Sequence, residues 1–305
     1  HEGTPTSALE IAQLSTQLDF PPGVINVVSG TGEGLGAALV RHPIPRLITL
    51  TGSVRAGKDI FRNAADDLKL LRLELGGKAP FIVAEDADIG AAVRAAVVSR
   101  FENCGQICIC NERMYLHERI ADQFLDRFTT AVAKLKVGNP LEPVDVGPKF
   151  SAAELGKVER MVATAVKAGA KIRVGGRRLQ EGDFAFGYWY EPTVLTGVDN
   201  RMPIMQQEIF GPVVPVMTVT DFDEGLRLAN ESAYGLSAYV FTKDLRRLMR
   251  LVRELKFGEI YVNRPGGDAV HAHHAGLRHS GVGGEDGKYG LDGYFQKKTI
   301  YVNYA

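Results

Sequence analysis

Short β-branched and apolar runs alternate with helix-period stretches along this chain, and that alternation is the strongest constraint on its fold. Residues 46–51 read as a strand closed by Gly52, 54–65 as a helix, and 70–75 as a strand closed by Gly76-Gly77. Residues 79–83 form another strand. Asp88 then caps a helix running to Phe101, with Ile89, Val93, Ala96 and Val97 on its apolar side. Strands follow at 113–116, 237–242 and 259–263, with helices over 120–135, 152–168 and 245–255. Such alternation builds a parallel α/β sheet. Two more strands are expected, at 24–28 after a Pro-Pro-Gly turn and at 298–304, where the pattern alternates. Residues 266–290, rich in Gly and His, read as an irregular loop.

Composition narrows the function classes. With 305 residues, 45% apolar and 24% charged, the chain has material for a sizeable core. Formal net charge is zero, so no basic stripe is available for a nucleic acid, and none is expected as a partner. No apolar run is long enough to span a bilayer, and no membrane or secretory segment is expected. The three cysteines, Cys104, Cys108 and Cys110, lie too close together for a disulfide framework, and a zinc site would need further ligands nearby. No metal is expected, and a reducing, cytoplasmic compartment fits. The chain opens on His1, and the amphipathic helix at 7–18 (Leu9, Ile11, Leu14, Leu18) has no strand before it. It is therefore expected to begin inside a domain whose upstream part is missing.

Four segments carry candidate chemistry. The glycines at 30, 32, 34 and 36 miss a G-x-G-x-x-G fingerprint because Leu35 stands where glycine is needed; a flexible turn and a cofactor contact both fit. Gly52-Ser53-Val54-Arg55-Ala56-Gly57 follows a strand and opens a helix, where backbone N–H groups can bind pyrophosphate. In Leu73-Glu74-Leu75-Gly76-Gly77-Lys78, Glu74 is either an exposed glutamate at a strand end or a desolvated general base. In Gly105-Gln106-Ile107-Cys108, the thiol is either a small buried hydrophobe or a nucleophile on a tight loop. Gln207-Glu208-Ile209-Phe210-Gly211-Pro212 is either a surface turn with a packed Phe or a carboxylate offered to ribose hydroxyls.

Taken in order, Glu-Leu-Gly-Gly-Lys, Gly-Gln-x-Cys and Glu-x-Phe-Gly-Pro form a pattern that resembles the aldehyde dehydrogenase superfamily. The 34-residue separation of Glu74 and Cys108 is similar too. The likeness runs from His1 to Ala305, through Pro21-Pro22-Gly23-Val24, Asn230, Tyr234-Gly235-Leu236, Asn263 and 280–284.

The resemblance implies an α/β fold: a partial Rossmann-like cofactor domain at 1–76, a catalytic α/β domain at 77–278, and a return segment at 279–305 ending in an oligomerisation strand. It implies that Cys108 attacks an aldehyde, that hydride passes to NAD, and that water activated by Glu74 hydrolyses the thioester. The implied cofactor contacts are Glu2, Gly30, Gly52, Ser53, Gly57, Leu75, Glu208 and Phe210. An acid at Glu2 opposes a 2′-phosphate, so NAD is favoured while NADP stays possible. The implied assembly is a homodimer or homotetramer. The oxyanion asparagine and an adenosine-ribose lysine of the family lie upstream of this sequence, so the chain alone is expected to show no turnover. The stretch 274–281, preceded by His271 and His273, is similar to the lactaldehyde and glycolaldehyde dehydrogenase subgroup. The expected substrate is therefore a short 2-hydroxy aldehyde, with Ile109 and His274 lining its site. The alternative is a non-catalytic or truncated scaffold of the same fold.

Overall fold

The computed structural model describes residues 2–267 and 269–305. The chain divides into two units, His1–Arg72 and Leu73–Ala305.

The first unit contains α1 (Thr6–Ser15), α2 (Ala37–Arg41), β1 (Leu47–Thr51) and α3 (Val54–Ala64), and ends within β2 (Leu70–Glu74). No residue of α1 is buried, and Ile11 is 65% exposed. The strand expected at 24–28 does not form: Val24, Ile25, Val27 and Val28 are exposed and unassigned. β-Branched residues favour a strand only where a neighbour supplies the ladder and a surface to pack on, and no strand is paired there among the described residues. The same correction applies to 298–304, which is irregular and exposed.

The second unit continues with β3 (Ala79–Val83), α4 (Ile89–Phe101), β4 (Asn111–His117), α5 (Glu118–Val132), α6 (Ala152–Lys167), β5 (Lys171–Val174), β6 (Arg178–Leu179), β7 (Trp189–Tyr190), β8 (Thr193–Thr196) and α7 (Pro203–Gln206). Then come β9 (Val213–Val219), α8 (Phe222–Asn230), β10 (Ser237–Phe241), α9 (Leu245–Glu254), β11 (Glu259–Val262), β12 (Gly281–Val282) and α10 (Gly287–Asp292). The expected loop at 266–290 thus carries one short strand and the start of a helix. Seven strands pair in the order β11-β10-β3-β4-β9-β8-β5, and only β5 runs antiparallel to its neighbour. β9 is interior although Pro215 interrupts its pattern and lacks a ladder donor. At Pro80 the β3–β4 register shifts in a bulge, which absorbs the missing N–H.

Local signals explain the helices. Asp88 accepts the Ala91 N–H at 2.9 Å, and Asp221 accepts that of Glu224 at 2.8 Å, so each caps its helix. The strands are apolar on both faces because helices cover both. Ile82, Tyr115 and Val240 enter one core cluster with residues of α6, α8 and α9. Their strand neighbours Phe81, Val83, Met114, Leu116, Tyr239 and Phe241 enter the other, with α4 and α5. This is the period-2 alternation of a pleated strand.

Candidate active site

Because β3, β4, β9, β10 and β11 run parallel, their first residues lie along one edge of the sheet. The segments entering that edge are 74–78, 103–110, 208–212 and 234–236, and Glu259 opens β11. The motifs read separately from the sequence therefore converge. The Gly76-Gly77 pair is their crossing point. A Cβ on Gly77 would lie 2.1 Å from the Cys108 carbonyl oxygen, and one on Gly76 would lie 2.6 Å from Glu208 Oε2. The atom facing Gly77 is backbone, so no side chain fits there and that glycine is required by close approach, whereas a side chain at Gly76 would displace the Glu208 carboxylate.

The Cys108 loop is tied at several points. Asn103 and Cys104 adopt left-handed backbone (φ 49° and 58°), followed by Gly105 at 68°. Such strain persists only where surroundings enforce it. Arg100, fully buried, donates to the Gly105 and Asn111 carbonyls at 2.8 and 2.6 Å. Gln106 accepts the Phe150 N–H and donates to the Pro148 carbonyl. Beyond the thiol, the Ile109 carbonyl accepts from Tyr239 at 2.7 Å and Ser237 at 3.1 Å, while the Ile109 side chain packs on the Phe81 face of the core. Cys108 is half-buried, whereas Cys104 and Cys110 are buried. Burial pushes the Cys104 thiol up to about 11 and raises Cys110 as well, which keeps both protonated and unreactive.

Glu74 ends β2, whose last two residues pair antiparallel with β12. Its carboxylate is buried, and both oxygens lack a partner in hydrogen-bond geometry among the described residues. Burial pushes its pKa up to about 7; His274 opposes the rise, and the charges of Glu285 and Glu259 add to it. His274 Nε2 stands 3.4 Å from Glu74 Oε2, and its Nδ1 lies 2.8 Å from Glu259 Oε1. His271 and His273 are exposed, with His273 edge-on to Tyr289.

Glu208 accepts the Gly77 N–H at 2.8 Å, and burial pushes its carboxyl up to about 7. Phe210 is half-buried with φ 51°. The loop between them rests on Glu112, which accepts the Ile209 and Phe210 N–H groups, each at 2.7 Å. Glu112 in turn pairs with Lys78 at 3.0 Å, and both are buried. Burial raises the Glu112 carboxyl, but Lys78, Arg100 and the two N–H groups outweigh it and hold it below its ordinary value. Buried Lys149 donates to the Phe210 carbonyl. Leu75 is buried and donates its N–H to the Ser280 carbonyl at 2.8 Å.

The remaining candidates belong to the first unit. Ser53 caps α3 by accepting the Ala56 N–H, and Gly57 is buried in the first turns of that helix. Gly52 and Glu2 are exposed. Gly30 is exposed, and a Cβ there would meet the Leu35 side chain at 2.9 Å. Within the first unit, the capped start of α3 with its small residues suits a phosphate group.

Glu112, Lys149 and Glu259 were not singled out from the sequence. Glu112 carried a signal, since a Glu-Arg pair inside an apolar strand must be paired or solvated. For Glu259 and Lys149 the sequence holds no comparable cue.

The family described as Aldehyde dehydrogenase family matches residues 1–300, so this chain belongs to the aldehyde dehydrogenase family. It is 47% identical over 302 residues to a 3,6-anhydro-α-L-galactose dehydrogenase of Vibrio sp. (strain EJY3), covering 99% of this chain and 63% of that protein. It is 43% identical over 303 residues to the lactaldehyde dehydrogenase of Escherichia coli (strain K12), covering 99% and 62%. Among solved structures, a 3,6-anhydro-L-galactose dehydrogenase in complex with NAP, an NAD(P) nucleotide, superposes with a TM-score of 0.97 at 48% identity, over 98% of this chain and 63% of that one. The chain thus spans about three fifths of the length of the curated relatives it matches.

Proposed function

We propose that the protein carrying this sequence oxidises an aldehyde to its carboxylic acid with NAD(P), using Cys108 as nucleophile and Glu74 as general base. The observation that carries this reading is the contact of Gly77 with the Cys108 carbonyl, which brings a half-buried thiol onto the segment holding a buried carboxylate of pKa about 7. A base of that pKa is half ionised near neutrality, where proton transfer is most effective. Bound NAD(P) supplies the hydride acceptor. The Cys108 thiolate adds to the aldehyde carbon, and loss of hydride leaves a thioester on its sulfur. Glu74 takes a proton from water as the water oxygen bonds to the thioester carbon. The C–S bond then breaks, releasing the acid and restoring the thiolate. Glu208, Phe210 and Leu75 would hold the nicotinamide ribose end of the cofactor, and Gly30, Gly52, Ser53 and Gly57 would hold its phosphates. Glu2 at the adenosine ribose favours NAD, with NADP tolerated.

The substrate in this reading is a short 2-hydroxy aldehyde. Lactaldehyde and 3,6-anhydrogalactose, for which two relatives are named, both carry oxygen beside the carbonyl. In this reading Ile109 and His274 are the substrate's contacts. The protein works as a homodimer or homotetramer.

The test is NADH formation with NAD and glycolaldehyde. Cys108→Ser is expected to lower kcat/KM at least about 10³-fold with unchanged folding. Equal rates in the wild type and this variant overturn the proposal. A higher kcat/KM for simple alkanals than for glycolaldehyde overturns the substrate class.

A further inference from the structure

His274 sits between two carboxylates, and its surroundings define which way it faces. Glu259 is anchored at both oxygens: Oε2 accepts the Tyr261 hydroxyl at 2.6 Å, and Oε1 meets His274 Nδ1 at 2.8 Å. The backbone of His274 is fixed as well, exchanging hydrogen bonds with Glu285 at 3.0 and 2.7 Å. Burial pushes the Glu259 carboxyl up, but the hydrogen bonds from His274 and Tyr261 outweigh it and leave it ionised. An ionised Glu259 accepts the proton on Nδ1, which leaves Nε2 turned toward Glu74 at 3.4 Å.

We infer that His274, oriented by Glu259, is a positioning residue for Glu74 and relieves it of the proton it takes from water. The inference rests on the reading of Glu74 as the base that hydrolyses the thioester. After water has given its proton to Glu74 and its oxygen to the acyl carbon, the O–H bond on Glu74 must break before the next turnover. Nε2 accepts that proton while Nδ1–H stays on Glu259, so an imidazolium forms between two carboxylates. The His274 side chain is 13% exposed, enough to return the proton to solvent. No oxidant or reductant is consumed. Orienting an imidazole through a carboxylate on its far nitrogen is the arrangement that serves acyl transfer elsewhere. The charges facing Glu74 are His274, Glu285 and Glu259, with the Gly276 N–H beside them. Of these, only His274 is a cation when protonated.

The experiment is stopped-flow NADH formation by the wild type, His274→Phe and Glu259→Gln, with glycolaldehyde and propanal, across pH 5.5–9. Loss of His274 is expected to leave a first-turnover burst of NADH and to slow the following steady state roughly 10- to 100-fold with both aldehydes. The acidic limb of kcat is expected to move to higher pH, because the group that lowers the Glu74 pKa is gone. Glu259→Gln, which keeps a hydrogen bond but not the charge, is expected to fall between wild type and His274→Phe. A loss confined to glycolaldehyde and expressed as raised KM would make His274 a substrate contact and overturn the inference. So would a steady state that slows with no burst and an unmoved pH limb. Absence of NADH from the wild type itself would instead sink the proposed function.

Discussion

The two units of this molecule use similar sequence patterns to different effect. In the first, Val40 and Ala64 are the buried apolar side chains among the described residues, and α1 presents Leu9, Ile11 and Leu14 to solvent. In the second, every residue of β3, β4 and β10 is buried, and two core clusters fill the space between sheet and helices. Residues 24–28 are more β-branched than 79–83, yet only the latter form a strand. The difference teaches that periodicity selects a conformation, while neighbours decide whether it persists. The candidate site follows the packing. Glu74, Cys108, Glu208 and His274 all stand in the second unit, where rigid surroundings can hold a carboxylate out of water.

The largest effect on stability that this contrast foretells comes from Glu112. Glu112→Ala leaves Lys78 buried without its partner and the Ile209 and Phe210 N–H groups without an acceptor. The expected loss is about 3–5 kcal/mol, measured by urea unfolding. A loss below about 1 kcal/mol would mean that the second unit is far softer than its burial implies.

Glu74 gives a smaller and pH-dependent effect. Its folded pKa, about 7, lies above the ordinary 4.5. Between those values the folded state binds more protons than the unfolded one, so stability falls as pH rises through the window. Glu74→Gln removes this cost. The variant is expected to be more stable than wild type at pH 8, by up to roughly 3 kcal/mol, with the excess vanishing below about pH 4.5. Unfolding at the two pH values checks it, and a pH-independent difference would show that Glu74 is not desolvated.

The smallest effect belongs to the first unit. Ile11→Ser replaces a side chain that is 65% exposed, so stability is expected to change by no more than about 0.5 kcal/mol. A loss above about 1 kcal/mol would reveal a surface covering that face in solution, and the contrast between the units would shrink accordingly.

Much of this protein was legible without coordinates. The strand at 79–83, the helix at 89–101 and its Asp88 cap follow from a few adjacent residues. So do the motif segments, because alternation, capping and turn chemistry act over short stretches of chain. What the tertiary structure alone decided is which of those segments meet. Lys78 finds Glu112 across 34 positions, Ile209 finds it across 97, and Glu259 finds His274 across 15. These pairings depend on strand order in a parallel sheet, which gathers the starts of distant strands on one edge. Strand order is set by the packing of whole faces, and no local pattern in the chain records it.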